Sequence, residues 1–162
     1  MYTVAILTIS SRGHAGERED ASGMAAAAIV GRHGYTVTHY GILPGEGALI
    51  SAELRRLCDG RMVDVILTTG GTGFAERDVT PEATLAVVER LCPGIPEAMR
   101  MFSFKVTKRA MFSRATAGIR GKTLIVNLPG NPKAVQECLD QVLPEFGHGL
   151  DILKGGAHEC AR

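Results

Sequence analysis

The stretch Val63-Asp64-Val65-Ile66-Leu67-Thr68 runs without a break into Thr69-Gly70-Gly71-Thr72-Gly73, and its reading decides the fold. A short apolar, β-branched run that stops at glycines reads as a buried strand feeding a shaped loop. Upstream, Val4–Ile9 is a second such run, bounded by Ser10, Ser11, Arg12 and Gly13. Between the two lie three further elements. An Ala-rich helix over Gly23–Arg32 is capped by Ser22 and closed by Gly34, an alternating strand covers Tyr35–Tyr40, and a helix over Ala48–Leu57 ends near Gly60. Strand, helix, strand, helix, strand at these spacings predicts a parallel α/β sheet with helices on both faces.

Downstream, Pro81–Leu91 is predicted as a helix with Thr80 as its cap, and Pro96–Phe104 as another. Ser113–Ile119 and Lys122–Asn127 form a hairpin through Arg120-Gly121. Asn131-Pro132 then opens a helix over Lys133–Leu143, followed by a short one over Glu145–Leu153. No repeat, linker or low-complexity tract interrupts the chain, so residues 1–162 are expected to form a single domain.

Composition agrees with an ordinary globule. Apolar residues make up 45% and charged residues 22%, and 18 basic side chains face 17 acidic ones. This balance excludes wholesale disorder and leaves no net field to draw the molecule onto nucleic acid or a membrane. Cys58, Cys92, Cys138 and Cys160 are too far apart for a zinc knuckle or a redox pair, so inert thiols are expected. The apolar start has no basic leader and is too short to span a bilayer, which makes a cytoplasmic protein the expectation.

Three places carry chemistry. Gly70-Gly71-Thr72-Gly73 leaves the carboxyl end of a parallel strand, where ligands bind, and glycine lets backbone N–H groups approach an anion. Asp78 lies five residues on, ahead of Thr80-Pro81. Asp78 either favours the positive end of the helix that follows or, since Thr80 and Glu82 already serve that helix start, faces the loop and holds Mg²⁺ against substrate phosphates. In Pro129-Gly130-Asn131-Pro132-Lys133, a helix N-terminus with free N–H groups and a first-turn lysine suits a further anion. Arg100, Lys105, Lys108, Arg109, Arg114, Arg120, Lys122 and Lys133 follow one another without an acidic residue, with Phe102, Phe104 and Phe112 among them. Such a run suits a small, multiply charged ligand, a solvated face or, less well, single-stranded nucleic acid.

Together, Thr68–Gly73, Arg77-Asp78-Val79-Thr80-Pro81-Glu82-Ala83 and Leu128-Pro129-Gly130-Asn131-Pro132-Lys133-Ala134-Val135 resemble the molybdopterin-binding proteins of molybdenum cofactor synthesis. Within that family they are most like the molybdopterin adenylyltransferases and the gephyrin G domain. The resemblance extends from about Val4 to Leu153. It implies a three-layer α/β/α fold, usually trimeric, that binds molybdopterin and ATP with Mg²⁺ and transfers AMP to the pterin phosphate, releasing pyrophosphate. Gly70, Gly71, Thr72, Gly73, Ser113, Arg114, Gly130, Asn131, Pro132 and Lys133 would hold the pterin side. Ser10, Ser11, Asp20, Ser22 and Gly23 match the nucleotide side, and Asp78 would be catalytic and hold the metal.

Two departures stand out. Where the family's enzymes often show Pro-Asp, this chain has Pro44-Gly45-Glu46, which makes Glu46 the candidate second catalytic carboxylate. Where relatives often read Ser-Asp-Arg, it has Ser10-Ser11-Arg12. A non-catalytic pterin-binding protein of the same fold is the alternative. A nicotinamide-dependent oxidoreductase is excluded, because the first loop lacks the glycine fingerprint.

Overall fold

In the computed structural model, which describes residues 1–156, six strands form one sheet. The strands are β1 (Thr3–Ile9), β2 (Thr36–Leu43), β3 (Val65–Thr69), β4 (Arg90–Leu91), β5 (Ala117–Arg120) and β6 (Thr123–Leu128). Their spatial order is β2-β1-β3-β6-β5-β4. The first four in that order are mutually parallel, while β5 runs antiparallel to both β6 and β4. The helices are α1 (Ser11–His14), α2 (Ala21–Arg32), α3 (Gly47–Asp59), α4 (Thr80–Leu85), α5 (Gly94–Val106) and α6 (Pro132–Leu153), and a 3₁₀ turn covers Lys108–Phe112. This is the mostly parallel α/β/α architecture with a small hairpin that the sequence implied.

Period-two alternation sorts the core into two layers. Val4 and Ile6 of β1 pack with α2, α5 and α6 on one face. Ala5, Leu7 and Ile9 of the same strand pack with α3 and the residues around α4 on the other. The chain leaves adjacent strands β1 and β3 toward opposite faces, which opens a crevice at their carboxyl ends. Among the described residues no helix is long and apolar enough to cross a membrane.

Four local expectations need correction. The cap of α2 is Asp20, whose carboxylate accepts from the Gly23 N–H at 2.9 Å, and not Ser22, whose hydroxyl donates to the Gly130 carbonyl at 2.6 Å. Thr80 is not a cap either; its hydroxyl donates to the Gly70 carbonyl at 2.9 Å and ties the glycine loop to α4. The helix expected over Pro81–Leu91 ends at Leu85, and Arg90–Leu91 becomes an edge strand. Hairpin contacts decide this, since the N–H groups of Glu89 and Cys92 donate to the carbonyls of Ile119 and Ala117. Finally, the two helices expected over Lys133–Leu143 and Glu145–Leu153 are one, with Pro144 inside it. The apolar stripe Val135, Leu139, Val142, Phe146, Leu150 is continuous across the proline, and its burial outweighs the hydrogen bond that proline removes.

Cys58 and Cys138 are buried, Cys92 is half-buried, and all three are free thiols. Burial pushes the Cys58 thiol up to about 11 and raises the other two, so they are poor nucleophiles. Cys160 lies outside the described residues.

Candidate functional site

Three loops meet at the carboxyl ends of β1, β3 and β6. The loop after β3 begins with two left-handed glycines, Gly70 (φ +94°) and Gly71 (φ +67°). A Cβ on Gly70 would stand 2.6 Å from the Ile9 carbonyl, and one on Gly71 would run into the Thr80 hydroxyl. Both positions therefore require glycine for shape and for space. The Gly70 N–H is taken by the Leu128 carbonyl at 3.2 Å, but those of Gly71, Thr72 and Gly73 find no acceptor among the described residues. Successive free amides in this conformation form a concavity for an anion.

Asp78 closes the same loop. Its Oδ2 accepts from the Ala75 N–H at 2.9 Å, which fixes the carboxylate facing a cavity of about 190 Å³. Ser10, Ser11, Gly45 and Gly71 line that cavity together with Arg12, Arg18 and Arg77. One carboxylate among three arginines gives an anion-attracting field. Arg114 is the clamp of the loop. Its backbone N–H donates to the Thr72 carbonyl and its Nε to the Gly73 carbonyl, both at 2.8 Å. Its remaining N–H groups reach the Asp78 carbonyl and the Glu82 carboxylate. With these bonds made, Arg114 shapes the site from behind and does not point into it.

The loop after β1 is built around Asp20. Its Oδ1 caps α2, and its Oδ2 accepts from the Thr8 hydroxyl at 2.8 Å and from the Tyr40 hydroxyl. Burial, then the neighbouring Asp20, keeps the Tyr40 phenol protonated well above its ordinary range. Gly23 sits so close to these oxygens that no side chain fits there. The N–H groups of Ala21 and Ser22 find no acceptor among the described residues and face a cleft of about 180 Å³. Ser10, Arg18, Gly70, Gly130 and Pro132 line this cleft too. Ile9, Ser10 and Arg18 belong to both openings, so the two adjoin across a shared wall.

The loop after β6 behaves differently from its expected role. Pro132 has no N–H, and Asn131 Oδ1 accepts from Lys133 N at 3.0 Å and Ala134 N at 3.3 Å. The first turn of α6 is thus satisfied internally, and the free helix N–H groups of the site belong to α2. What the loop supplies is closure: the Thr69 hydroxyl donates to the Pro129 carbonyl at 2.6 Å, and Gly130 lies against Gly70.

Against this geometry, residues 5–148 match the family described as "Probable molybdopterin binding domain". The chain belongs to that family. A molybdopterin adenylyltransferase from Helicobacter pylori is 42% identical over 154 residues, which span 94% of this chain and 88% of the relative. The crystal structure of the molybdopterin biosynthesis enzyme MoaB from Thermus thermophilus superposes with a TM-score of 0.90. It is 43% identical and the match covers 96% of this chain and 98% of that one. The tungsten cofactor synthesizing protein MoaB from Pyrococcus furiosus gives 0.86 at 29% identity, over 95% and 98% of the two chains.

Within this molybdopterin-binding domain, most of the residues expected on the nucleotide side do converge. Ser10, Asp20 and Ser22 line the α2 cleft and Ser11 the neighbouring cavity, while Gly23 lies beneath Asp20. The residues expected on the pterin side are divided. Gly70, Gly130 and Pro132 line the α2 cleft and Gly71 lines the Asp78 cavity. Ser113 lines a separate pocket against α5 and α6. Thr72 is buried and Gly73 backs onto Asp78, while Lys133 projects into solvent 4.0 Å from Glu137. Glu46 stands exposed at the entry to α3, and it is the neighbouring Gly45 that lines the cavity.

The basic run is mostly occupied. Arg100 serves the carbonyls of Ser113 and Ala115, Arg120 pairs with Asp59, and Lys122 donates to the Leu153 carbonyl. Sequence reasoning missed Arg18, Thr8 and Tyr40. Arg18 had a signal, a cation beside two carboxylates in a loop, whereas Tyr40 had none, since it reaches Asp20 across two strands.

No group of three or more His, Cys, Asp or Glu side chains able to cage a metal is present among the described residues. Asp78 alone fits a hard cation that fills most of its shell with water and substrate phosphate oxygens, the ordinary habit of Mg²⁺.

Proposed function

We propose that the chain adenylylates molybdopterin, using ATP and Mg²⁺ and releasing pyrophosphate. The observation that carries this reading is the convergence of free backbone N–H groups from two loops with Arg18, Arg77 and Asp78 around two adjoining openings. Such a site binds phosphates from several sides and leaves one carboxylate for a metal. Relatives named molybdopterin adenylyltransferase support the choice of substrate.

In this reading Ser10, Ser11, Ser22 and the N-terminus of α2 bind the nucleotide, with Asp20 and Gly23 shaping that turn. Gly70–Gly73, Ser113, Gly130, Asn131, Pro132 and Lys133 form the pterin side, Arg114 sets the loop, and Asp78 holds the metal. An oxygen of the pterin phosphate attacks the α-phosphorus of ATP as the bond to pyrophosphate breaks. Magnesium supplies charge neutralisation on the ATP phosphates. The free amides and arginines hold the two phosphates in line, and positioning of this kind supplies most of the rate in phosphoryl transfer. The family resemblance extends the proposal to a trimer, tested by sedimentation. A cytoplasmic location suits the three free thiols.

One observation favours a second reading, a binding protein without turnover. Gly45 puts no carboxylate opposite Asp78; a Cβ there would face the Ser11 hydroxyl at 3.6 Å and the Arg77 carbonyl at 3.4 Å. Transfer of α-phosphate label from ATP to molybdopterin, with and without Mg²⁺, separates the two. Mg²⁺-dependent label on the pterin establishes the enzyme, and retained but unlabelled pterin establishes the binder. Glu46→Gln slows transfer if Glu46 supplies the second carboxylate, and Gly45→Asp raises it if that carboxylate is lacking.

A further inference from the structure

The α2 cleft and the Asp78 cavity share three residues, Ile9, Ser10 and Arg18. A ligand whose phosphates reach from one opening to the other must pass these three. Two of them have little to offer it. The Ile9 side chain is buried, and Ser10 Oγ already accepts from the Gly13 N–H at 3.0 Å as the cap of α1. Arg18 is the shared side chain with free donors. It is exposed in the loop between α1 and α2 and makes no hydrogen bond or ion pair among the described residues.

The other charges around the two openings are one-sided. Arg12 and Arg77 line only the Asp78 cavity, and Arg12 leans toward Glu17 at 3.9 Å. Glu19 and Asp20 line only the α2 cleft. Asp20 turns both oxygens inward, onto the Gly23 N–H and the Thr8 and Tyr40 hydroxyls, which leaves Glu19 as the open carboxylate of the cleft. Arg18 thus stands at a boundary, with two arginines and Asp78 on one side and an acceptor-only group on the other. Phosphates suit the first side, and the hydroxyl donors of a nucleoside suit the second.

We propose that Arg18 is a catalytic residue of adenylyl transfer, its guanidinium holding the non-bridging oxygens of the ATP α-phosphate. The proposal rests on the adenylyltransferase reading given above. With the nucleoside in the α2 cleft and the β- and γ-phosphates beside Arg12, Arg77 and Asp78, the α-phosphorus falls at the shared wall. There an oxygen of the pterin phosphate bonds to it, and the electron pair of the broken P–O bond leaves with pyrophosphate. No proton has to change hands. A guanidinium keeps its charge throughout and its planar fork takes two oxygens at once, which suits charge spread over the oxygens of the phosphoryl group in transit.

Two measurements on the whole chain test the assignment. The first is titration calorimetry with AMP and with adenosine, whose difference reads the α-phosphate alone. Wild type should favour AMP, and Arg18→Ala should cut that preference about tenfold, the scale of a lost charged hydrogen bond. Arg77→Ala should weaken pyrophosphate binding and leave the AMP preference in place. The second is transfer of α-phosphate label from ATP to molybdopterin. Arg18→Ala should lower kcat about a hundredfold or more, and Arg18→Lys, which keeps the charge without the fork, should recover about tenfold of it. An AMP preference unchanged in folded Arg18→Ala, one lost in Arg77→Ala instead, or an undiminished kcat in Arg18→Ala would each overturn the assignment. The two readings fail separately. A wild type that transfers no label, yet whose AMP preference depends on Arg18, defeats the adenylyltransferase and leaves Arg18 as the α-phosphate contact. Label transfer that is equal in wild type and Arg18→Ala defeats Arg18 alone.

Discussion

The two ends of the parallel sheet treat polar groups in opposite ways. At the amino ends Asp64 accepts from the Thr3 N–H at 2.8 Å and the Thr3 hydroxyl at 3.0 Å, and pairs with Lys154 at 2.5 Å. The Thr123 hydroxyl satisfies the Val63 carbonyl beside it, and Lys122 caps the Leu153 carbonyl. At the carboxyl ends, the N–H groups of Ala21, Ser22 and Gly71 and the Asp78 carboxylate are left facing openings. One end spends its hydrogen bonds on holding the fold, and the other keeps them for a ligand. The site is nevertheless rigid, because a buried network supports it from below. Asn127 donates to the Thr68 and Thr84 hydroxyls, both at 2.9 Å, and accepts from Thr116 N at 3.2 Å.

Substitutions at the two ends should therefore separate activity from stability. The largest effect is expected for Asp78→Asn, which should cut adenylyl transfer at least about a hundredfold while pterin binding and Tm stay put. Unchanged turnover would remove Asp78 from the mechanism. Gly70→Ala comes next: the left-handed backbone and the Ile9 carbonyl together should cost about 2–4 kcal/mol in urea unfolding. A variant as stable as wild type would show that the loop relaxes freely.

At the opposite end, Asp64→Asn should lower stability by about 1–3 kcal/mol and leave transfer intact. Burial opposes the Asp64 charge, but Lys154 and Thr3 prevail and hold its carboxyl below the usual range. The stabilisation is thus present above the unfolded value near about 3.9 and is lost as pH falls through the lower folded value. The Tm gap between variant and wild type should close in acid, and a gap that persists would point to packing instead. The smallest effect concerns Cys58. With its thiol pushed up to about 11, native protein at pH 8 should react with a thiol reagent far more slowly than unfolded protein. Equal rates would mean that the α3 face opens readily.

Much of this was legible in the sequence because the signals are local. Apolar runs ending at Gly or Ser gave β1 and β3, and Gly34 and Gly121 marked turns that their positive φ angles require. The glycine run after β3 announced a loop that no side-chain-bearing sequence could form. Legibility failed where a residue's partner comes from elsewhere. Thr80 looked like a helix cap until the Gly70 carbonyl claimed its hydroxyl, and Arg114 was expected to hold the pterin side until the loop carbonyls took its guanidinium. Residues 86–91 carried a helical pattern, yet β5 drew Arg90–Leu91 into the sheet.

The sequence by itself determined the strand–loop–helix order, the parallel sheet and the family, since period, turn residues and motif spacing are all properties of neighbours along the chain. Only the tertiary structure decided which helix offers free N–H groups to the site. Asn131 consumes those of α6, while Asp20, drawn back by Thr8 and Tyr40, leaves two on α2 open. It also placed Gly45 rather than Glu46 in the cavity with Asp78. The physical reason is that a hydrogen bond is settled by whichever partner lies within about 3 Å, and distance along the chain does not fix distance in space.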